Sequence, residues 1–470
     1  MLRTTKVKNG IVRGIEAADA RITAYKGIPF AAPPIGKNRW RAPQPAQDWE
    51  GERDCSRFAP IPVQDTPGLG TDIYCREWHV DPEIPMDEDC LYLNVWTPAK
   101  KADEKLPVLV WIYGGAFQWG YAREMEFDGE RIARRGIVVV TVNYRLGVFG
   151  FLAHKELSAE QPETPSNFGL LDQKAAIRWV YDNIAAFGGD PEKITVAGQS
   201  AGGGSVSNQI TDSDNFGIIK GAIIMSGMIW DPFSNGNPLS PGGMEGPEKL
   251  GDKFLEFLGV GTIDEARKIP YMTVRDKYAE FARNGRFWPS INCGPYKSDP
   301  YKAICEGKYN NIPLMSGFTY DEFRLPLSDG SSTSVVEYSV QNAFNQALMK
   351  NPKAPLYFYC FDPDIPGDDN PGTFHSVDLW FWFETLAKDT RPFCGRHYEL
   401  ARQMCDYLCN FVKTGNPNGD GLYGQELPEW QAYDGKGKKM FFTGKGAQFK
   451  DERTDFTRYL EEKPRMQMMM

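Results

Sequence analysis

The stretch Ile194-Thr195-Val196-Ala197-Gly198-Gln199-Ser200-Ala201-Gly202-Gly203 decides the fold of this chain. Its apolar beginning predicts a short buried strand, which runs into the pattern Gly-x-Ser-x-Gly and then into the first turn of a helix. In so tight a turn the two glycines leave room where a Cβ would clash, so the Ser200 hydroxyl is presented at the top of a sheet. The alternative interpretation is a glycine-rich turn in which Ser200 only caps the helix.

Other apolar runs predict the remaining strands of a large sheet. They lie at 107–113, 137–144, 221–226, 312–317 and 356–361, with an alternating strand at 87–96 and one or two strands within 430–442. Runs that are apolar throughout are typical of strands covered on both faces, and therefore of a mostly parallel sheet with crossover helices. The periodicity of apolar residues over 172–187 and 396–413 predicts such helices. The predicted fold class is α/β, a large mostly parallel central sheet flanked by helices.

Two regions depart from this pattern. Residues 11–14 and 22–25 are β-like and predict an N-terminal hairpin. Proline and glycine cluster at 232–247, and helical patches follow, so we interpret about 228–300 as a cap-like insertion over the active site. We expect residues 1–470 to form a single domain that carries this helical insertion.

Composition excludes several classes of protein. The net charge of −9 offers nothing to nucleic acid or to an anionic membrane surface. No apolar run reaches the roughly 18 residues that span a bilayer, and the N-terminus lacks the apolar segment of a secretory signal. The nine cysteines are widely spread, which indicates free thiols in a reducing compartment. We therefore expect a cytoplasmic protein.

A nucleophilic serine needs a base, and the chain offers few. Its four histidines are His79, His154, His375 and His397. The order Ser, acid, His, which is that of the α/β-hydrolase fold, leaves only the last two. His397 is expected to begin a helix, whereas His375 lies in a loop after the strand 356–361. Loops at the carboxyl edge of such a sheet carry its chemistry, so His375 is the predicted base.

The acid should follow a strand between the serine and the histidine. The strand 312–317 runs into a loop that contains Asp321 and Glu322, and the residues alone leave both carboxylates as candidates. A carboxylate at this place would hold the imidazole tautomer and stabilise the imidazolium.

Backbone amides are expected to stabilise the oxyanion. One would come from Ala201, directly after the serine, and the others from Gly115 and Ala116 in the glycine loop that follows the strand 107–113. Glycines there let the backbone approach a substrate closely.

Taken together, these motifs resemble the type-B carboxylesterase family, which includes bacterial para-nitrobenzyl esterases, animal carboxylesterases and cholinesterases. The resemblance covers nearly the whole chain. It rests on Gly27–Pro34, Glu88–Pro98, Val142–Phe151, Asn167–Gln173, Phe187–Pro191, Gly198–Gly203, Phe374–Phe383 and Thr414–Asn418.

The resemblance implies a role for each candidate residue. It identifies Ser200 as the nucleophile and His375 as the base, and it selects Glu322 over Asp321 as the acid. It also supports Gly115, Ala116 and Ala201 as the oxyanion hole. Ser226 resembles a serine that lies near the acid in the family, and the ion pairs Arg39–Glu88 and Arg145–Asp172 are expected from the same pattern.

The chain departs from the family at three places. Phe323 stands where the family usually has glycine after the acid, so the local backbone is expected to differ. Cys90 matches a cysteine that is bridged in secreted members; Cys75 is its obvious partner, but we expect no bond. The stretch from Glu322 to His375 is shorter than usual, and we hypothesise a wider, more exposed entrance to the active site.

The predicted function is that of a serine carboxylesterase that hydrolyses aryl or medium-size apolar esters through an acyl-enzyme, with no metal or cofactor. The expected partner is a small-molecule ester, and we expect a monomer or small homo-oligomer of bacterial origin. Amide, carbamate or thioester hydrolysis remains an alternative, as does a non-catalytic binding module. The predicted pocket walls are apolar residues that flank the motifs: Phe117, Trp119, Met228, Phe287, Trp288, Leu379 and Trp382.

Overall fold

The computed structural model of the protein describes residues 1–229, 243–291, 293–326, 330 and 332–450. Its strands are β1 (Thr4–Val7), β2 (Gly10–Arg13), β3 (Ile15–Glu16), β4 (Thr23–Pro29), β5 (Glu52–Asp54), β6 (Tyr92–Thr97), β7 (Leu106–Ile112), β8 (Val138–Val142), β9 (Gly189–Gln199), β10 (Ile219–Met225), β11 (Leu314–Thr319), β12 (Arg324–Pro326), β13 (Ser332–Ser334), β14 (Leu356–Asp362), β15 (Lys439–Thr443) and β16 (Gly446–Lys450).

One large sheet organises the described residues, with eleven strands in the order β16-β15-β14-β11-β10-β9-β7-β8-β6-β4-β3. Its centre, from β15 through to β8, is parallel, and the pairs at both ends are antiparallel. The central strands are apolar on both faces; all five residues of β8 are buried, for example. The prediction of a mostly parallel sheet is therefore confirmed.

Helices cover the two faces of this sheet. The α-helices are α1 (Ile73–Glu77), α2 (Glu130–Ala133), α3 (Gly147–Phe151), α4 (Lys155–Glu160), α5 (Phe168–Asn183), α6 (Ala201–Thr211), α7 (Glu245–Leu258), α8 (Ile263–Ala266), α9 (Tyr271–Phe281), α10 (Pro300–Cys305), α11 (Val335–Lys350), α12 (Leu379–Trp382) and α13 (Gly395–Thr414). In α13 the predicted apolar face is buried, as the spacing of Leu400, Met404, Leu408 and Phe411 requires. No helix in the described ranges is long and apolar enough to cross a bilayer.

The N-terminal hairpin differs from the prediction. Strand β2 pairs with β1, which precedes it, and β4 pairs instead with β3 and β6. The predicted pairing of 11–14 with 22–25 is therefore wrong. A two-residue connection between β1 and β2 closes at a lower entropy cost than a longer loop, and the alternation of apolar residues alone does not name the partner strand.

The predicted insertion, at about 228–300, contains the helices α7, α8 and α9. Residues 230–242 of it lie outside the described residues. The Tyr278 hydroxyl of α9 donates to the Gln118 side chain at 2.8 Å, so this helix packs beside the loop that follows β7. A single domain with a cap-like insertion stays a prediction.

Two buried ion pairs fix connections around the sheet, as the family pattern implied. The guanidinium of Arg39 binds the Glu88 carboxylate at 2.5 and 2.6 Å. That of Arg145 binds Asp172 at 2.7 and 2.8 Å. Both predicted pairs are confirmed. The nine cysteines, all within the described residues, are free thiols.

Candidate active site

The turn between β9 and α6 places Ser200 at the carboxyl edge of the sheet. Its backbone has φ 57° and ψ −126°, a conformation that L residues rarely adopt. A Cβ on Gly202 would lie 2.1 Å from the carbonyl oxygen of Ile112, and one on Gly198 would lie 2.4 Å from that of Gly202. Only glycine fits at these positions, because the helix begins in direct contact with the end of β7. The two glycines of the motif thus fix a tight turn from which the Ser200 side chain projects.

His375 and Glu322 meet at the same edge, although they come from different loops. The Nδ1 atom of His375 lies 2.5 Å from Oε2 of Glu322, and the other oxygen of that carboxylate accepts a hydrogen bond from the Thr319 amide at 3.1 Å. The Glu322 side chain is buried. With Nδ1 facing the carboxylate, Nε2 is the nitrogen left to exchange a proton with another group.

The neighbouring carboxylate has a different task. Asp321 accepts hydrogen bonds from the backbone and the hydroxyl of Thr373, at 2.8 and 3.0 Å. It therefore holds the start of the loop that carries His375. Of the two acids that the residues left open, Glu322 is the one in contact with the imidazole.

A cavity of about 590 Å³ opens at this edge, and both Ser200 and His375 line it. Gly115 and Ala116 line it as well. Both residues have positive φ, 101° and 52°. Within the described residues, the amides of Gly115, Ala116 and Ala201 donate to no protein acceptor, which leaves three N–H groups free beside the serine.

Comparisons with known proteins agree with this geometry. The family model described as "Carboxylesterase family" matches residues 2–351 and 326–458. The chain belongs to this carboxylesterase family. Para-nitrobenzyl esterase of Bacillus subtilis (strain 168) is 31% identical over 87% of this chain and 88% of its own. Carboxylesterase 5A of Canis lupus familiaris is 30% identical over 92% of this chain and 84% of its own.

Solved structures agree in fold. A crystal structure of a Geobacillus stearothermophilus carboxylesterase superimposes with a TM-score of 0.80, at 27% identity, over 97% of this chain and 99% of the other. A para-nitrobenzyl esterase structure follows with a TM-score of 0.78, at 26% identity, over 97% and 99%. The protein therefore has the α/β-hydrolase fold and is a carboxylic ester hydrolase.

The structure brings only part of the predicted pocket wall of this esterase to the cavity. Trp119 and Leu379 line it. The other five predicted residues lie outside its lining: Phe117, Met228, Phe287, Trp288 and Trp382. Phe117 packs edge-on against Phe151, and Trp382 is fully buried against Tyr359. Proximity to a motif in sequence does not determine which face of a turn or helix a side chain occupies.

Several cavity residues were missed from the sequence. The Tyr74 hydroxyl donates to the carbonyl of His375 at 3.0 Å, although 301 residues separate the two. The side-chain nitrogen of Gln199 donates to the Ser376 hydroxyl at 2.8 Å and lies 3.3 Å from Nε2 of His375. Gln199 occupies the variable position of the Gly-x-Ser-x-Gly motif. Its place directly before Ser200 could have indicated from the sequence that it lies at the cavity. Tyr74 lies in the short helix α1, within a stretch whose sequence shows no periodicity, and gave no such signal.

The backbone conformation of Phe323 accounts for the glycine that the family pattern has after the glutamate. Its φ is 43°, the left-handed region that glycine enters without strain. This esterase therefore keeps the turn and places a phenylalanine in it, at a cost on the order of 1 kcal/mol. The ring lies 4.6 Å from the ring of His375, and 46% of the residue is exposed. The expectation of a wider entrance stays a prediction.

A second buried carboxyl lies close to Glu322. Asp378 is fully buried, and its Oδ2 accepts hydrogen bonds from Tyr359 and Trp382, both at 3.2 Å. Burial raises its pKa to about 7, and the charge of Glu322 adds to this effect. Ser226 directly follows strand β10 and is buried as well, and its backbone amide donates to the carbonyl of Gly317 at 2.9 Å. Its role beside the acid stays a prediction.

The buried Asp378 predicts a pH-dependent stability. Because its pKa is about 7 in the folded protein and ordinarily 3.8, the folded state holds this proton more tightly and loses stability as the pH rises from about 4 to 7. Asp378→Asn removes this loss. The unfolding free energy of the variant minus that of wild type should therefore increase as the pH rises, by up to about 4 kcal/mol between pH 4 and pH 8. Denaturant unfolding of both proteins across this range measures the gain, and a difference independent of pH would contradict it.

Proposed function

We propose that this esterase uses Ser200 as nucleophile, His375 as general base and Glu322 as the carboxylate that orients the base. The observation that carries the proposal is the 2.5 Å contact between His375 and Glu322, beside a serine that a strained turn presents to the same cavity. Nucleophile, base and orienting group are the three parts that serine acyl transfer requires.

The reaction would proceed in two halves. The Ser200 oxygen attacks the ester carbonyl carbon, Nε2 of His375 accepts the hydroxyl proton, and the carbonyl electrons move to the oxygen. The intermediate collapses as His375 returns the proton to the departing alcohol, which leaves an acyl-enzyme. A water that His375 deprotonates then attacks the acyl carbon, and His375 returns the proton to the Ser200 oxygen as the acid leaves.

The oxyanion would be held by backbone amides. The N–H groups of Gly115, Ala116 and Ala201 supply donors that need no rearrangement, because no protein acceptor within the described residues competes for them. Fixed donors that point to where charge develops lower the barrier most strongly in a site that excludes water.

Aryl or medium-size apolar esters are the proposed substrates. The cavity volume of about 590 Å³ lies in the usual range for small-molecule sites. Its walls include the apolar side chains of Trp78, Trp119, Phe127, Ile229 and Leu379. A series of para-nitrophenyl esters with increasing acyl length measures this preference. A kcat/KM that is highest for acetate would contradict it.

A fluorophosphonate probe tests the nucleophile. We expect a covalent adduct on Ser200, located by mass spectrometry of the digested protein, together with turnover of para-nitrophenyl esters. An adduct without turnover would mean an activated serine whose substrate is a different acyl compound. If neither adduct nor turnover were found, the proposed triad would be wrong.

The cytoplasmic location and the monomeric or small homo-oligomeric state stay predictions. Size-exclusion chromatography with light scattering measures the latter directly.

A further inference from the structure

Phe323 is a cavity residue that the proposed reaction does not use. It directly follows Glu322 in the chain, and it lines the same cavity as Ser200 and His375. The centroid of its ring lies 4.6 Å from that of the His375 imidazole, with 57° between the two ring planes. The phenylalanine ring is therefore a part of the cavity wall that adjoins the proposed base.

The fold does not need this ring for packing. Phe323 is 46% exposed and forms no part of the buried hydrophobic core. Its φ of 43° is unfavourable for a residue that carries a Cβ, whereas glycine adopts this conformation without strain. Strained residues cluster at sites where ligands bind and react. An exposed ring on a strained backbone, beside the imidazole, therefore indicates a surface for a ligand.

Backbone hydrogen bonds hold the ring in place. The carbonyl of Phe323 accepts a hydrogen bond from the Val335 amide at 3.0 Å, and the Glu322 amide donates to the carbonyl of Thr319 at 3.3 Å. Leu325 and Val335 line the same cavity with apolar side chains. A surface that is ordered before a ligand arrives loses little conformational entropy when the ligand binds.

The proposed mechanism determines which part of an ester lies beside this ring. His375 returns a proton from Nε2 to the departing alcohol oxygen, so at this step that oxygen lies within about 3 Å of the imidazole nitrogen. The carbon atoms attached to this oxygen then extend from the imidazole, which the ring of Phe323 adjoins. The acyl carbon, in contrast, is bonded to the Ser200 oxygen. The alcohol part is therefore the part expected against Phe323.

An aromatic group on the alcohol suits such a surface best. Aromatic rings attract each other in offset or edge-to-face arrangements, with their centroids about 4.5 to 7 Å apart. A saturated ring of the same size covers a similar apolar area, but it lacks the quadrupole that gives these arrangements additional stability. The two kinds of ring should therefore be distinguished by a wall that contains phenylalanine.

We propose that Phe323 is a specificity-determining residue: its ring lies against the alcohol part of the ester and favours a flat aromatic group over a saturated group of the same size. The inference rests on the proposed function, because it assigns one side of the same cavity to the alcohol. The family pattern has glycine at this position, so the contact is a property of this chain.

Two matched butyrate esters test the preference. Their alcohol parts are 2-phenylethanol and 2-cyclohexylethanol, and the measured quantity is the ratio of kcat/KM for the phenyl ester to that for the cyclohexyl ester. Phe323→Leu keeps an apolar side chain on the strained backbone but removes the aromatic ring. We expect the ratio to fall about fivefold from its wild-type value. An unchanged ratio would overturn the proposal.

A second exposed phenylalanine provides the matched control. Phe216 is 45% exposed and lies outside the cavity lining, so Phe216→Leu should leave the ratio at its wild-type value. Phe323→Gly, which supplies the residue of the family pattern, should lower the ratio at least as much as Phe323→Leu. The ratio does not depend on the fraction of enzyme that folds, because both esters are measured on one preparation. Equal falls in Phe216→Leu and Phe323→Leu would refute the assignment.

A second pair of esters distinguishes the alcohol side from the acyl side. The ethyl esters of 3-phenylpropanoic acid and 3-cyclohexylpropanoic acid carry the same two rings on the acyl part. Phe323→Leu should leave the ratio of their kcat/KM values unchanged. A fall in this acyl ratio, with a constant alcohol ratio, would place Phe323 against the acyl part and overturn the proposal.

Binding separates this inference from the proposed function. Hydrolysis of all the esters with the same alcohol ratio in wild type and Phe323→Leu would count against the inference alone. If no ester were hydrolysed, the proposed function would be wrong, and the intact 2-phenylethyl and 2-cyclohexylethyl butyrates would be titrated by calorimetry. The ratio of their Kd values should then differ about fivefold between wild type and Phe323→Leu, and an equal ratio would overturn the proposal on binding as well.

Discussion

Ser200→Ala should lower kcat for para-nitrophenyl ester hydrolysis by at least about 10³-fold. The expected loss is large because, in the proposed mechanism, the acyl-enzyme forms on the Ser200 oxygen. The backbone of the turn should survive the change, since the strained φ of 57° is enforced by the contacts of Gly198 and Gly202 and not by the hydroxyl. Stopped assays with purified variant, together with circular dichroism, check activity and folding. Fluorophosphonate labelling should disappear at the same time.

A serine on the neighbouring helix provides the control for this variant. Ser207 is buried on α6 and donates only to the carbonyl of Gly203, at 3.2 Å, away from the cavity lining. Ser207→Ala should keep turnover close to wild type. If Ser200→Ala hydrolysed esters as fast as Ser207→Ala, the nucleophile would have been assigned to the wrong residue.

Glu322→Gln should lower kcat by about 10³- to 10⁴-fold, which is the second largest expected effect. A neutral amide can still contact Nδ1 of His375, but it can present its N–H₂ group and select the wrong tautomer, and it cannot stabilise the imidazolium. Labelling of Ser200 by fluorophosphonate should slow in parallel, because in the proposed mechanism the same imidazole activates the serine. Steady-state kinetics and labelling rates measure both effects.

Asp321→Asn is the matched control, since it changes the adjacent carboxylate in the same way. Asp321 binds Thr373, and among the described hydrogen bonds none joins it to the imidazole. We expect a small effect on kcat, confined to the position of the loop that carries His375. Equal losses in the two variants would mean that the loop geometry, and not the charge of Glu322, controls the rate.

Much of the fold followed from local patterns. Apolar runs with no alternation predicted the central parallel strands, because strands covered on both faces leave no polar side. The periodicity of α13 predicted its buried face correctly. The N-terminal hairpin failed, since β2 pairs with β1 and not with β4, and alternation alone carries no information on partners.

The candidate site also has features that the sequence predicted and features that it did not. The turn that presents Ser200 can be read from ten residues, because steric contact within a strand-to-helix turn is local. The identity of the acid could not be read from residues alone, and the resemblance to the family selected Glu322. Pocket walls were predicted poorly: Trp382 packs into the core, and Tyr74 approaches His375 across 301 residues. Side-chain direction at such positions depends on packing between elements.

The sequence by itself determined a mostly parallel sheet, a strained serine turn at its carboxyl edge, and the order along the chain of the proposed nucleophile, acid and base. These properties depend on contacts within short segments or on the covering of each strand. Only the tertiary structure decided which side chains share the cavity. It placed Tyr74 and Gln199 beside His375, at the cavity that also holds Ser200. These residues come from segments that are distant in sequence. Their contacts, and the burial that results, exist only once the chain has folded.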